Sequence, residues 1–313
     1  MEKIQSAIAK ARAARAIAQS GAQSGVQSGP AQSRTVPSDS VQPQPAVIQP
    51  GSPALALTKV GGPDADVDAA ANADARAARW AALPGFAPAP GLLARGHIVT
   101  AAGGADAVPF DQMRTRLLQQ MRANNWHRVA ITSPTPGCGK STIALNLALS
   151  LGRQPDLRTL LAEIDLRRPS LARMLGLRSP QSFARVLEGL DPLATQAVRI
   201  GDNLAVSTCH APHRHPAELM HSPSLATALD RIEADYDPSI LIFDMPPMFV
   251  SDDAMAVMGR MDCVLIIAAA EATSIKDIDR CERELAGQTN VLGVVLNKCR
   301  YMENESYDYA YHA

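Results

Sequence analysis

Ser133-Pro-Thr-Pro-Gly-Cys-Gly-Lys-Ser-Thr142 is preceded by Val129-Ala-Ile-Thr132 and followed by Ile143-Ala-Leu-Asn-Leu-Ala-Leu-Ser-Leu151. The run before it is apolar and β-branched, and the run after it has apolar residues at helical spacing. The stretch therefore predicts strand, tight loop, helix. The loop ends in Gly139-Lys140-Ser141, as a phosphate-binding P-loop does. Successive backbone N–H groups and a helix N-terminus make a nest for an anion, here residues Gly137, Cys138, Gly139, Lys140, Ser141 and Thr142. Gly137 and Gly139 let the backbone approach phosphate oxygens without a Cβ in the way. Lys140 supplies a cation for β- and γ-phosphates, and the Ser141 hydroxyl is placed for Mg²⁺. The general pattern has Gly six residues before the lysine, where this chain has Pro134.

Outward from the loop, apolar strands alternate with amphipathic segments. Strands are expected at 129–132, 159–164, 204–208, 240–243, 263–268 and 291–296. A helix over 110–121 carries Phe110, Met113, Leu117 and Met121 on one stripe. Alternation of this kind predicts an α/β fold with a mostly parallel sheet and helices on both faces. Ligands of such sheets bind at the carboxyl ends of the strands, and the polar motifs fall there.

Glu163 and Asp165 follow the second strand, in Glu163-Ile-Asp-Leu-Arg-Arg-Pro169. As alternate residues they project from one side of an extended segment. Two carboxylates beside a P-loop can divide the work, one holding Mg²⁺ and one taking a proton; a solvated acidic end answered by Arg167 and Arg168 fits the residues equally. Asp244, after Ile240-Leu-Ile-Phe243, has the Walker B arrangement, with a turn aspartate as the alternative. Asn297 ends the last strand. Its amide suits an adenine edge, but the residue alone reads as a plain strand-terminating Asn.

Composition narrows the rest. The 313 residues carry a net charge of -1, so no basic field points to nucleic acid. Five cysteines without a Cys-x-x-Cys argue against zinc, iron–sulfur and disulfide frameworks. No signal peptide is visible, and the strong apolar run 264–270 is too short to span a bilayer. The expectation is a cytoplasmic protein with no direct membrane span. Residues 1–18 read as a short helix, open to a solvated, partner-docking or membrane-surface role. Residues 19–90 are rich in Pro, Gly, Ser and Gln and read as a disordered linker, with a possible Ala-rich helix at 66–83. The folded domain is expected at 91–300. The tail 301–313 holds Tyr301, Tyr307, Tyr309 and Tyr311, four of the five tyrosines of the chain. Such a cluster beside a nucleotide site suggests phosphate transfer onto the tail.

From about Gly96 onward these residues resemble the bacterial tyrosine autokinases of exopolysaccharide and capsule synthesis (BY-kinases), in the stand-alone cytoplasmic form. The resemblance rests on Pro136-Gly-Cys-Gly-Lys-Ser-Thr142, Glu163-Ile-Asp-Leu-Arg-Arg-Pro-Ser170, Pro216-Ala-Glu-Leu-Met220, Asp244-Met-Pro-Pro247 with Asp253-Ala254, Gly293-Val-Val-Leu-Asn297 and the tail. The absence of Gly at position 134 is usual in this family. Glu2-Lys-Ile-Gln-Ser-Ala-Ile8 is weakly similar to the N-terminal helix of exosortase-associated members. The resemblance implies a P-loop NTPase of the MinD/ParA-like superfamily that binds ATP through Lys140 and the loop amides. It implies Mg²⁺ at Ser141, Asp165 and Asp244, assistance to the tyrosine nucleophile from Glu163, and adenine at Asn297. It also implies transfer in trans to Tyr301, Tyr307, Tyr309 and Tyr311 of a neighbour in a ring-shaped homo-oligomer. The implied partner is the cytoplasmic segment of a membrane polysaccharide co-polymerase, which recruits the chain to the inner face of the plasma membrane. Two residues depart from the family: Glu163 stands where Asp is usual, and the helix motif Glu-x-x-Arg-x-x-Arg reads Asp111, Arg114 and Leu117, with Arg116 one place early.

Three alternatives share the fold. A MinD/ParA-type positioning ATPase carries a lysine five residues before the P-loop lysine, where this chain has Thr135. An iron–sulfur carrier of the Mrp type would carry the missing Cys-x-x-Cys. A nucleotide-gated regulator of polysaccharide assembly with little kinase activity fits the departures at Glu163 and Leu117.

Overall fold

The computed structural model describes residues 63–300, with side chains from residue 71 onward. The expected terminal helix at 1–18, most of the linker and the tyrosine tail lie outside the described residues. The order is α1 (Pro63–Ala81), α2 (Pro90–Arg95), α3 (Val108–Asn124), β1 (Arg128–Thr132), α4 (Lys140–Gly152), β2 (Thr159–Glu163), α5 (Leu171–Leu175), α6 (Phe183–Leu187), α7 (Leu193–Gln196), β3 (Val198–Ile200), β4 (Leu204–Ser207), α8 (Pro216–His221), α9 (Pro223–Tyr236), β5 (Ile240–Asp244), α10 (Asp253–Met258), β6 (Cys263–Ala269), α11 (Ile275–Ala286) and β7 (Asn290–Asn297).

The sheet runs β3-β4-β2-β5-β1-β6-β7, parallel throughout except for the β3–β4 pair. Its strands alternate between two cores, as a period of two requires. Ala130, Leu160, Ala162, Leu241, Phe243 and Val264 face one core, with α9 and α11. Val129, Ile131, Leu161, Ile242 and Leu265 face the other, with α3 and α4. Strands covered on both faces read as continuous apolar runs, so the sequence showed them clearly. The register sets Ile131 and Glu163 level with Asp244 on either side. The chemistry-bearing ends of β1, β2 and β5 are therefore flush at one edge.

All six expected strands form. β3 was not anticipated; three residues are too few to show a period. The domain boundary also differs. The folded domain is expected from 91, and the structure also buries Trp80 and Leu83 in the core. Trp80 Nε1 donates to Asp202 O at 2.7 Å, and the N–H groups of Phe86 and Arg199 donate to Arg199 O and Pro84 O, both at 2.8 Å. The segment thus covers the β3 edge of the sheet. Arg76 Nε donates to Ala234 O near the end of α9. An Ala-rich helix with only Val67 and Trp80 as large apolar residues gives no stripe, so composition hid this docking.

Inside the second core, Asn146 of α4 is buried and fully partnered. Its Oδ1 accepts from Val99 N and Thr100 N, and its Nδ2 donates to His97 O and Thr142 O. This one side chain pins 97–100 against the helix that follows the P-loop. Among the described residues no helix is long and apolar enough to cross a membrane.

Replacing Trp80 with Ala is expected to cost about 3–5 kcal/mol in denaturant unfolding of the full chain. A loss below about 1 kcal/mol would place the 80–86 segment outside the cooperative unit.

Candidate functional site

The loop after β1 is braced from the side by the residues after β5. Thr132 Oγ1 donates to Pro246 O at 2.7 Å, and Met248 N and Phe249 N donate to Ser133 O and Pro134 O. Pro134 therefore keeps its carbonyl in use where a glycine is usual. Gly137 and Gly139 have φ of 81° and 92°, the left-handed region open to glycine. Among the described residues no side chain caps the start of α4. The first N–H groups of a helix have no intrahelical acceptor, and here they are left for an anion.

Lys140 begins α4 and is buried. Its Nζ lies 3.8 Å from Asp165 Oδ2, and Asp165 Oδ1 accepts from Arg168 N at 3.1 Å. Burial raises the Asp165 pKa against the pull of Lys140. Asp244 is wholly buried, and neither of its oxygens has a hydrogen-bond partner among the described residues. Burial pushes it up to about 7, opposed by Lys140 and the nearby Ser141 hydroxyl and reinforced by Asp165. A buried carboxylate with two idle oxygens is costly unless a cation takes them. With Ser141 and Asp165 beside it, the oxygen-rich set fits Mg²⁺, which prefers one or two carboxylates plus substrate oxygens.

Glu163 differs. It is fully buried, and both of its oxygens are engaged: Oε1 by the N–H groups of Ser170 and Leu171, Oε2 by Cys209 N. Burial and then Asp244 push it up to about 7 against those three amides. Asn297 Nδ2 donates to Cys138 O at 2.8 Å, against the P-loop backbone. The Cys138 thiol points inward to Thr135 O, so only its backbone faces the loop. Burial first of all pushes Cys209, Cys263 and Cys281 up to about 12, leaving them as thiols.

Two pairings escaped the sequence reading. Arg167 forms a bidentate ion pair with buried Asp253, joining the loop after β2 to α10. Asp111 accepts from Arg114, Ser150 Oγ and Arg153, so the acid and first arginine of α3 turn inward onto α4. Leu117 is in the core and Arg116 is exposed. Both motifs were visible as residues; that they pair across the fold was not.

A Cβ at Gly139 would run into Asn297 Nδ2 and would sit on left-handed backbone. Gly139→Ala is expected to cost about 1–2 kcal/mol for the backbone alone and to weaken binding of a fluorescent nucleotide. Adding Asn297→Ala should restore only part, because the strain at φ remains. The folded chain keeps a proton on Asp244 up to about 7, whereas an unfolded carboxylate releases it near 3.8. Between these values the folded state binds more protons, so stability falls as pH rises. The melting-temperature advantage of Asp244→Asn over the parent should therefore grow between about pH 4 and about pH 7 and level off above.

A family model, ParA, described as NUBPL iron-transfer P-loop NTPase, matches residues 124–311. Curated relatives include EpsB of Ralstonia nicotianae, 28% identical over 203 residues, covering 64% of this chain and 26% of that protein. Tyrosine-protein kinase YwqD of Bacillus subtilis is 29% identical over 184 residues, covering 58% of this chain and 76% of its own. Among solved structures, the VpsO kinase domain is 27% identical with a TM-score of 0.56, covering 65% of this chain and 96% of that one. The chain thus spans about a quarter of the length of EpsB and most of the shorter relatives. With the P-loop on β1, the flush carboxylates on β2 and β5, and a match over more than half its length, the chain belongs to the ParA family of P-loop NTPases.

Proposed function

We propose that the chain is an ATP-dependent protein-tyrosine kinase that phosphorylates tyrosines of its own C-terminal tail in trans. The observation that carries this reading is the site formed by Lys140, Asp165 and Asp244, whose carboxylate has no hydrogen-bond partner among the described residues, in a chain similar to proteins named tyrosine-protein kinases. Four tyrosines at 301, 307, 309 and 311 supply acceptors of the right chemistry.

In the proposed reaction the amides of 137–142 and Lys140 hold the phosphates and spread the charge that builds on the transferring group. Mg²⁺, served by Ser141, Asp165 and Asp244, would neutralise the β- and γ-oxygens when bound. A tail tyrosine oxygen bonds to the γ-phosphorus, the bond from that phosphorus to the β-bridging oxygen breaks, and ADP leaves. The phenolic proton passes to a carboxylate of the site or to solvent. Transfer in trans needs only that one copy's tail reach another copy's site. A ring built on Asp111 and Arg114 has less support, since that pair is engaged within its own chain.

We further propose that this activity tunes polysaccharide assembly at the inner face of the plasma membrane, through the cytoplasmic segment of a co-polymerase. Phosphorylation would add like charges to the tail and loosen contacts between copies. The iron-transfer part of the family description finds no counterpart in a chain without Cys-x-x-Cys.

The full chain is incubated with Mg-ATP, with and without the partner segment, and phosphotyrosine is mapped by mass spectrometry. Label on the tail is expected, and its loss in Lys140→Ala. No tail label in either condition would overturn the kinase reading, and label persisting in Lys140→Ala would assign it to a contaminant. Release of inorganic phosphate alone would favour a plain ATPase.

A further inference from the structure

The loop from Ile164 to Ser170 leaves β2 at Glu163 and re-enters helix at Leu171. One side chain closes its base. Glu163 Oε1 takes the N–H groups of Ser170 and Leu171, the far end of the loop, and Oε2 takes Cys209 N at 2.8 Å, just beyond β4. Inside the loop, Ile164 N and Asp165 N both donate to Asp244 O, at 2.9 and 3.0 Å. Arg168 N donates to Asp165 Oδ1, and Arg167 ties the outer side to Asp253. The free oxygen of Asp165 is thereby aimed at Lys140, 3.8 Å away.

Reach explains the residue type. An aspartate here would end one C–C bond earlier, about 1.5 Å short. It would have to choose between the amides of the loop and the amide after β4. Glutamate spans both, with no exposed surface left for a substrate hydroxyl.

We propose that Glu163 is a positioning residue, a three-amide clasp that closes the 164–170 loop so that Asp165 is held toward Lys140 and the Mg²⁺ of the bound nucleotide. It therefore does not receive the tyrosine proton. The inference rests on the reading that Asp165 serves Mg²⁺, and it does not need the tail to be the phosphate acceptor. Groups one step removed from a metal act in this way, orienting the ligands that touch it.

The test is a Mg²⁺ titration of nucleotide binding by the full chain, read with a fluorescent ATP analogue, so that no phosphate transfer is required. In Glu163→Gln the Mg²⁺ needed for half-maximal effect should rise by about 10-fold or more, while binding without Mg²⁺ stays within about 2-fold of the parent. Saturating Mg²⁺ should restore most of the transfer. Asp165→Asn should shift the same titration and should not be restored. An unshifted titration with transfer abolished would make Glu163 the proton acceptor and overturn the inference. So would an unshifted titration with a lowered melting temperature, the mark of a merely structural role. If Glu163→Gln does not fold, Glu163→Asp carries the same expectation through its shorter reach, and a parental titration there overturns the inference equally. A shifted titration in a chain that never labels its tail would remove the kinase reading and leave the clasp standing.

Discussion

Asp244 is a carboxylate held between two strands of the sheet, with no hydrogen-bond partner for either oxygen among the described residues. Its backbone is committed: its carbonyl takes the N–H groups of Ile164 and Asp165, and its neighbour Met245 donates to Ile131 O. The side chain cannot turn to water, because β5 lies between β1 and β2 and both faces are covered. Such a group is tolerated where a cation offsets it. Lys140 partly does so, and the remaining deficit is what a Mg-nucleotide would fill. The parallel register, the bracing of Pro134 and the position of α4 all serve to bring this one carboxylate under the P-loop.

Around it, the loops of the site are tied by side-chain amides and carboxylates that act on backbone groups. Asn146 fixes the segment before the core to α4. Asn297 holds the Cys138 carbonyl, and Glu163 holds the turn beyond β2. Each bond is worth little by itself, about 1 kcal/mol, and more when charged. Together they remove conformational freedom from the elements a phosphate must meet in one arrangement.

The fold was largely legible. Buried parallel strands are continuous apolar runs, and a P-loop is a local motif, so Val129 to Leu151 announced the architecture. The edges were less so. β3 is too short to carry a period, and the end of α1 and Leu83 beyond it dock after a run of alanines that signals a helix but not what it packs against. At the site, residue types were readable but their occupations were not. Glu163 and Asp165 look alike two positions apart; one is spent on three amides and the other keeps a free oxygen. Asn297 suits an adenine edge by its chemistry, yet it rests on the loop itself.

The chain by itself determined that strand, loop and helix meet at a phosphate, and that acids stand at strand ends, because both follow from local spacing. Only the tertiary structure decided which acid is left idle, which is consumed, and which arginine is paired. Those outcomes depend on backbone N–H groups from Ser170, Cys209 and Arg168. Every residue but proline carries such a group, so no letter of the sequence marks where it will point.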